Sequence, residues 1–231
     1  MRQRKKLKQM PDAKLDSVRE QRATLLLKVL VTYGLKTTDM NIIVKPHGCN
    51  LSCCRPDTTW ERENKDFYSP DCINEIWWTP VIFARVCKAG KCVGKKFVER
   101  YYDGIGCGVL LYGSTDQTQM AEKPTLMPYI DKSSILPAPL YNPVVMEEEK
   151  ILEIEIERDG YLDKHTIALK DVKTILDETI CRTSELISLR IGDFVAVELT
   201  SPDSLCRRTD TETRMTGKFC DNEIFDFKII M

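Results

Sequence analysis

Residues 151–157 read ILEIEIE, in which apolar and acidic residues alternate strictly from Leu152 to Glu157. Successive side chains point to opposite faces only on an extended strand, so this segment predicts a strand with one buried and one solvated face. Asp159-Gly160 follows, a pair suited to the positive-φ positions of a two-residue hairpin loop, and His165–Leu169 supplies the return strand. A lone hairpin is marginal in water, so its apolar face requires a second layer. The chain offers material for one. Trp77–Val86 and Cys107–Tyr112 are apolar, β-rich runs, and Asn41–Lys45 alternates up to Pro46. Gly192-Asp193 turns into a strand over Phe194–Leu199, and Ile224–Ile230 closes the chain. Between them, residues 171–187 read as a helix with Val172, Ile175, Leu176, Thr179 and Ile180 on one face. The expected class is α+β, dominated by β-structure, with two or three helices and no internal repeat.

The flanks differ from this core. Arg2, Arg4, Lys5, Lys6 and Lys8 make a basic start that ends at Pro11, and Asp12 can cap a helix over Ala13–Val31, with Gly34 as its stop. Two segments follow: 1–39, a basic tail and N-terminal helix, and 40–231, the globular domain. Residues 113–150 carry Pro124, Pro128, Pro137, Pro139 and Pro143 and predict a long loop with short strands.

Composition excludes several roles. A formal net charge of −1 gives no bulk attraction to nucleic acid or to a membrane surface. A terminal cluster of five cations is expected to be solvated. No run reaches the ~18 apolar residues of a span, and the apolar patch Leu25–Leu27 is interrupted by Lys28 with no cleavage site behind it. The expected location is the cytoplasm. Ten cysteines invite a zinc reading. Yet Cys49, Cys53 and Cys54, with Cys87 and Cys92, lack paired C-x-x-C spacing, and His47 and His165 are the only histidines. Buried, reduced thiols acting as small hydrophobes are expected instead.

Several pieces, taken in order, resemble the fumarylacetoacetate hydrolase family over roughly residues 40–231. Asn41–Pro46 (NIIVKP) resembles a front strand of that family, and Phe67–Asp71 the approach to its metal-binding strand. Arg85–Lys91 is similar to the turn after that strand. Arg100–Asp103 and Gly108 are similar to the stretch before its third ligand, and Ile130-Asp131-Lys132 to the segment bearing an active-site lysine. Gly192-Asp193 and Gly217 resemble the closing segment. The resemblance implies a mixed β-sheet roll or sandwich with a few helices, and chemistry on oxo-acids assisted by Mg²⁺ or Mn²⁺.

The same register places uncharged residues where the family keeps its carboxylates. Counting from Arg85 puts the Glu-x-Glu pair at Thr79 and Val81, and counting from Arg100–Asp103 puts the Asp at Leu110. Hard divalent ions need several oxygen ligands with compensating charge, which these three side chains do not supply. Pro80 also removes a strand donor. Lys132 is the one family catalytic position retained. A Thr-Gly-Thr-Pro turn corresponds to Thr200-Ser201-Pro202 if two residues are inserted, and otherwise falls on Val197–Thr200. The stretch matching the family's lid, Tyr33–Asp39, has no histidine.

The resemblance with these departures implies a non-catalytic member with a binding or interaction role, no metal, and pairing as a homodimer. One alternative is a divergent hydrolase, decarboxylase or isomerase of oxo-acids with a repurposed site, for which Lys132, Asp131 and Cys107 are candidates. Another is a Mg²⁺ or Mn²⁺ site rebuilt from Glu75, or from Glu61 and Glu63.

Overall fold

In a computed structural model of the chain, the described residues are 40–115, 125–146, 150–210 and 212–231. The expected N-terminal helix, the basic tail and the lid-like stretch lie outside them. The unit described is Met40–Met231.

Thirteen strands are present among these residues. The first seven are β1 (Ile42–Lys45), β2 (Cys53–Arg55), β3 (Trp60–Glu61), β4 (Phe67–Tyr68), β5 (Glu75–Val86), β6 (Tyr102–Ser114) and β7 (Ser134–Ile135). The remaining six are β8 (Lys150–Arg158), β9 (Tyr161–Leu169), β10 (Phe194–Glu198), β11 (Asp203–Arg207), β12 (Thr213–Phe219) and β13 (Asn222–Ile230). One α-helix, α1 (Val172–Leu186), lies between β9 and β10. The larger sheet runs β2-β1-β10-β5-β6-β7-β3, with β11 also paired to β5. The smaller sheet runs β4-β13-β12-β8-β9. The β-dominated α+β expectation therefore holds.

The alternating segment behaves as its pattern requires. In β8, Leu152, Ile154 and Ile156 are buried, while Glu153 and Glu157 are exposed. Asp159 and Gly160 both take positive φ (51° and 78°), and β9 returns antiparallel in an uninterrupted register. The inner face of this sheet packs on one face of the larger sheet, with Val172, Leu176 and Ile180 of α1 in the same core.

The other face of the larger sheet curls around a second, smaller core of Ile42, Val44, Val81, Phe83, Leu110, Tyr112, Leu136, Phe194 and Ala196. The curl follows from topology. β2 and β3 stand at opposite ends of the sheet order, yet only Pro56–Thr59 separates them in the chain. The sheet must therefore roll until its ends meet.

Two sequence features permit that curvature. The inward positions of β6 read Gly104, Gly106 and Gly108 before Leu110 and Tyr112. A Cβ at Gly106 would stand 2.4 Å from the Phe83 ring, and one at Gly108 would stand 2.2 Å from the Ile135 carbonyl oxygen. Glycine at these positions admits the facing aromatic ring and the neighbouring backbone. Pro80, in the middle of a central strand, sits where the ladder changes partner. β10 pairs β5 only as far as Val81, and β11 takes over at Trp78. Pro80 keeps its acceptor bond from Leu199 N, at 2.9 Å, and its missing donor faces the gap between the two partner strands.

Some expectations are corrected. β6 begins at Tyr102, five residues before the predicted run, because its glycines hide a strand pattern. The polar stretch after residue 202, to which the sequence pattern assigns no element, contains two strands, β11 and β12. Only Cys107 and Cys206 are buried. Cys49, Cys53, Cys54, Cys72, Cys92 and Cys220 are exposed, so the reading of the thiols as buried hydrophobes holds for two of ten.

Replacing Gly108 by Ala is expected to lower stability by about 2 kcal/mol or more, through overpacking against the Ile135 carbonyl. Gly48→Ala has open space around its added methyl but a φ of +72°, and is expected to cost only about 1 kcal/mol. Denaturant unfolding of the two variants, read as midpoint shifts at constant slope, checks the ranking; equal midpoints would contradict the close approach of β6 to β7.

Candidate functional site

Thr79 and Val81 are two apart on β5 and so share a face, and Leu110 stands directly opposite Thr79 on β6. All three are 0% exposed. Val81 and Leu110 lie in the same small core inside the roll, with Trp77 packed against it. The structure thus brings the three sequence-derived positions together. The Thr79 hydroxyl donates to the Thr200 carbonyl at 2.7 Å. Thr200, in the loop between β10 and β11, is therefore adjacent to Thr79, and Ser201 reaches His47 Nδ1 at 3.1 Å.

These side chains do not suit a divalent ion. Val81 and Leu110 offer hydrocarbon, and the Thr79 hydroxyl is committed to a carbonyl. The nearest carboxylate on this face is Glu198, directly opposite Val81 across the β10–β5 ladder and 4% exposed. It accepts the Tyr112 hydroxyl and the His47 backbone N–H, the latter at 2.9 Å. Glu75 is held by Ser204 Oγ at 2.7 Å and by Arg207 Nε at 3.0 Å. Glu61 accepts the Glu63 backbone N–H at 2.7 Å and faces Lys132 Nζ at 3.6 Å. Asp116, with Glu75 the nearest acid in sequence to the expected ligand positions, lies outside the described residues. Among the described residues, no three His, Cys, Asp or Glu side chains converge in a way that would hold a metal.

Lys132 sits at a turn with φ of +61°. Its ammonium turns toward Glu61 and donates to the Trp60 carbonyl at 3.3 Å, on β3 at the seam of the roll. Asp131 is exposed beside it. Cys107 is buried on the opposite face of β6, in the main core, and burial pushes its thiol far above the ordinary range. The three candidates for a repurposed centre therefore do not form one.

The sequence reading missed the residue that dominates this interior. Arg55, on β2, is 2% exposed. Its Nη1 donates to the Ser134 hydroxyl at 2.7 Å and to the Ser133 carbonyl at 3.2 Å, and its Nη2 donates to the Leu111 carbonyl at 2.6 Å. The guanidinium stacks over the Tyr112 ring at 4.5 Å. Ser134 is in register with Leu110, and Thr59 Oγ1 lies 2.9 Å from the Ser134 hydroxyl. Arg55 thus crosses from the first strand of the sheet order to β6 and β7 near its other end. Its Nε is buried with no protein partner. Burial lowers the guanidinium pKa, while Tyr112 and Glu198 oppose that shift. Burial is also the main cause of the raised Tyr112 pKa; Arg55 opposes it and Glu198 reinforces it. The arrangement is a buried cation and a buried carboxylate joined through one tyrosine, whose ring faces the first and whose hydroxyl bonds the second. Removing one member of such a pair typically destabilises by ~3–5 kcal/mol, because the other is left buried and uncompensated. The only sequence signal is Arg55-Pro56 at the end of a short strand, which by itself is indistinguishable from a surface turn.

A shallow groove of about 690 Å³ lies beyond Thr200, between β9 and the β10–β11 loop, lined by Trp78, Pro80, His165, Ile167, Thr200 and Ser201 among others. His165 packs edge-on against Trp78, with ring centroids 5.1 Å apart.

No protein-family model matches the chain, and no curated protein matches it in sequence. Solved structures match it in fold. A Yersinia pestis CO92 protein assigned to the fumarylacetoacetate hydrolase family superposes with a TM-score of 0.60 at 12% identity, covering 85% of this chain and 95% of its own. Fumarylpyruvate hydrolase from Pseudomonas aeruginosa, solved with Mn²⁺ and pyruvate, gives 0.56 at 15% identity, covering 85% and 99%. Maleylpyruvate hydrolase from Sphingobium sp. SYK-6 gives 0.61 at 12% identity, covering 83% and 70%. The described unit of this chain therefore has the fold of the fumarylacetoacetate hydrolase family.

Proposed function

We propose that this chain is a member of that family whose metal centre has been replaced by packing, and that it serves as a binding or interaction protein and not as an oxo-acid hydrolase. The observation that carries this reading is the chemistry of three positions. Thr79, Val81 and Leu110 share one face inside the roll, where the register assigns the metal ligands, and they offer a committed hydroxyl and two hydrocarbon side chains. Cleavage or decarboxylation of an acylpyruvate or of oxaloacetate builds negative charge on an enolate oxygen. A Lewis-acid ion normally stabilises that charge, and losing such stabilisation costs on the order of several kcal/mol of barrier lowering. Lys132 offers one flexible ammonium, already turned to Glu61, which does not chelate the two oxygens of a keto-acid.

The proposal includes a cytoplasmic homodimer. Exposed apolar side chains on the described unit, such as Tyr161, Leu162 and Ile151 on the smaller sheet, support association. No helix among the described residues is long and apolar enough to cross a membrane.

Two outcomes are expected. The purified protein should carry no stoichiometric Mg²⁺ or Mn²⁺ by elemental analysis, and should show no turnover of acylpyruvates or oxaloacetate with either ion added; metal-dependent turnover of about 1 per second or more, as in typical enzymes, would overturn the reading. Light scattering at micromolar concentration should give twice the 26.6 kDa chain mass, and a monomer mass would remove the dimer from the proposal.

A further inference from the structure

The loss of carboxylates explains why a metal would not bind, but not why the interior of the roll needs none. A roll emptied of both ion and ligands would be expected to fill with hydrocarbon alone. This one instead keeps a buried guanidinium and a buried carboxyl group at the same place. Leu110 faces Ser134 across the β6–β7 ladder, and the Ser134 hydroxyl receives Arg55 Nη1 at 2.7 Å. Arg55 Nη2 bonds the carbonyl of Leu111, the next residue along, at 2.6 Å. Val81 faces Glu198, and Tyr112, two residues past Leu110 on the same face, lies between the guanidinium and that carboxylate. The three positions assigned to metal ligands are thus bracketed by Arg55 on the Leu110 side and by Glu198 on the Val81 side.

We infer that Arg55 is the resident cation of the roll. Its guanidinium supplies, through fixed covalent attachment, the internal positive charge that a divalent ion would otherwise bring to positions 79, 81 and 110. The same charge bars such an ion from the site. The inference rests on the reading of those positions given under Proposed function. Two like charges within one or two residues of each other in a dry interior repel far more strongly than in water. A carboxylate introduced there would also find Arg55 first. A planar guanidinium takes a carboxylate in bidentate fashion, occupying the oxygens a metal would need. Restoring ligands alone is therefore not enough to restore a metal centre.

The test uses the full chain with Mn²⁺ alone as the probe. Thr79→Glu, Val81→Glu and Leu110→Asp are combined in two backgrounds, one with Arg55 and one with Arg55→Met. Mn²⁺ binding is read by electron paramagnetic resonance and by the shift in thermal midpoint. The expected result is Mn²⁺ affinity at least about tenfold higher in the Arg55→Met background. Equal affinity in the two backgrounds would overturn the role of Arg55 while leaving the ligand-position reading intact. Folded protein that takes up Mn²⁺ in neither background would overturn both.

Leu110→Asp alone, made in the same two backgrounds, covers the case in which the triple variants do not fold. With Arg55 present the new carboxylate has a counter-charge beside it. Its cost in thermal midpoint should then be smaller by at least about 4 °C than with Arg55→Met, a shift of roughly 1 kcal/mol or more for a chain of this size. An equal or larger cost with Arg55 present would place the guanidinium out of reach of position 110 and sink the inference.

Discussion

The buried guanidinium of Arg55 is the contact on which the shape of this protein depends. The short β2–β3 connection already brings the two ends of the sheet order together, and Arg55 fixes how they meet. Here the strand that opens the sheet order carries a side chain bonded to Leu111, Ser133 and Ser134 near the opposite end. The three acceptors come from β6 and the start of β7, and two of them are backbone carbonyls, so the bonds fix strand position as well as side-chain position. Hydrogen bonds from a charged donor are stronger than neutral ones, and inside a dry core leaving them unmade is correspondingly costly. Tyr112 then relays the arrangement to Glu198, whose carboxylate also holds the His47 amide. One cation thereby ties together the β1–β2 connection, the middle of β6, the start of β7 and the end of β10.

That polar clasp and the apolar filling around it are compatible because they divide the interior along the strands. Toward one end, Phe83, Phe194 and Trp60 make edge-to-face contacts at 5.0–5.3 Å over the glycines of β6. Toward the other, Arg55, Tyr112, Glu198 and Thr79 satisfy one another. Asp193 performs a similar service at the start of β10, where its carboxylate accepts the backbone N–H groups of Asn41 and Arg190 at 2.7 and 2.8 Å and so aligns β1 with β10.

Much of the fold was legible in the sequence because it is written in periodicity. The alternation of 151–157, the Asp159-Gly160 turn, the apolar run of β5 and the helical face of α1 each have one physical solution. The elements that escaped notice lack that signal. In β6 the inward residues Gly104, Gly106 and Gly108 are selected by what they must avoid, so they carry no hydrophobic pattern. In β12 the inward positions Thr213, Met215, Gly217 and Phe219 include only two large apolar side chains. For the candidate site, register counting put Thr79, Val81 and Leu110 on one face of adjacent strands, since strand geometry is local. Arg55 was not legible, because its partners are 56 to 79 residues away and a lone arginine before a proline resembles any surface turn. Pro80 removes a strand donor, but it stands at the junction of two partner strands, where no donor is needed.

The parallel pairing of β1 with β10 sets the order in which this protein can be completed. Ile42 lies beside Phe194, so an early apolar strand has its central neighbour only near the end of the chain. At a synthesis rate of ~5–20 residues per second, β1 emerges roughly 8 to 30 s before β10 exists. Through that interval Ile42, Ile43 and Val44 have no ladder to join except the three-residue β2. Contacts of such long sequence separation also make closure slow once the chain is released, because loop entropy must be overcome before pairing rewards it. Until β10 is made, the nascent chain thus carries a hydrophobic strand with one edge unpaired, open to non-native pairing.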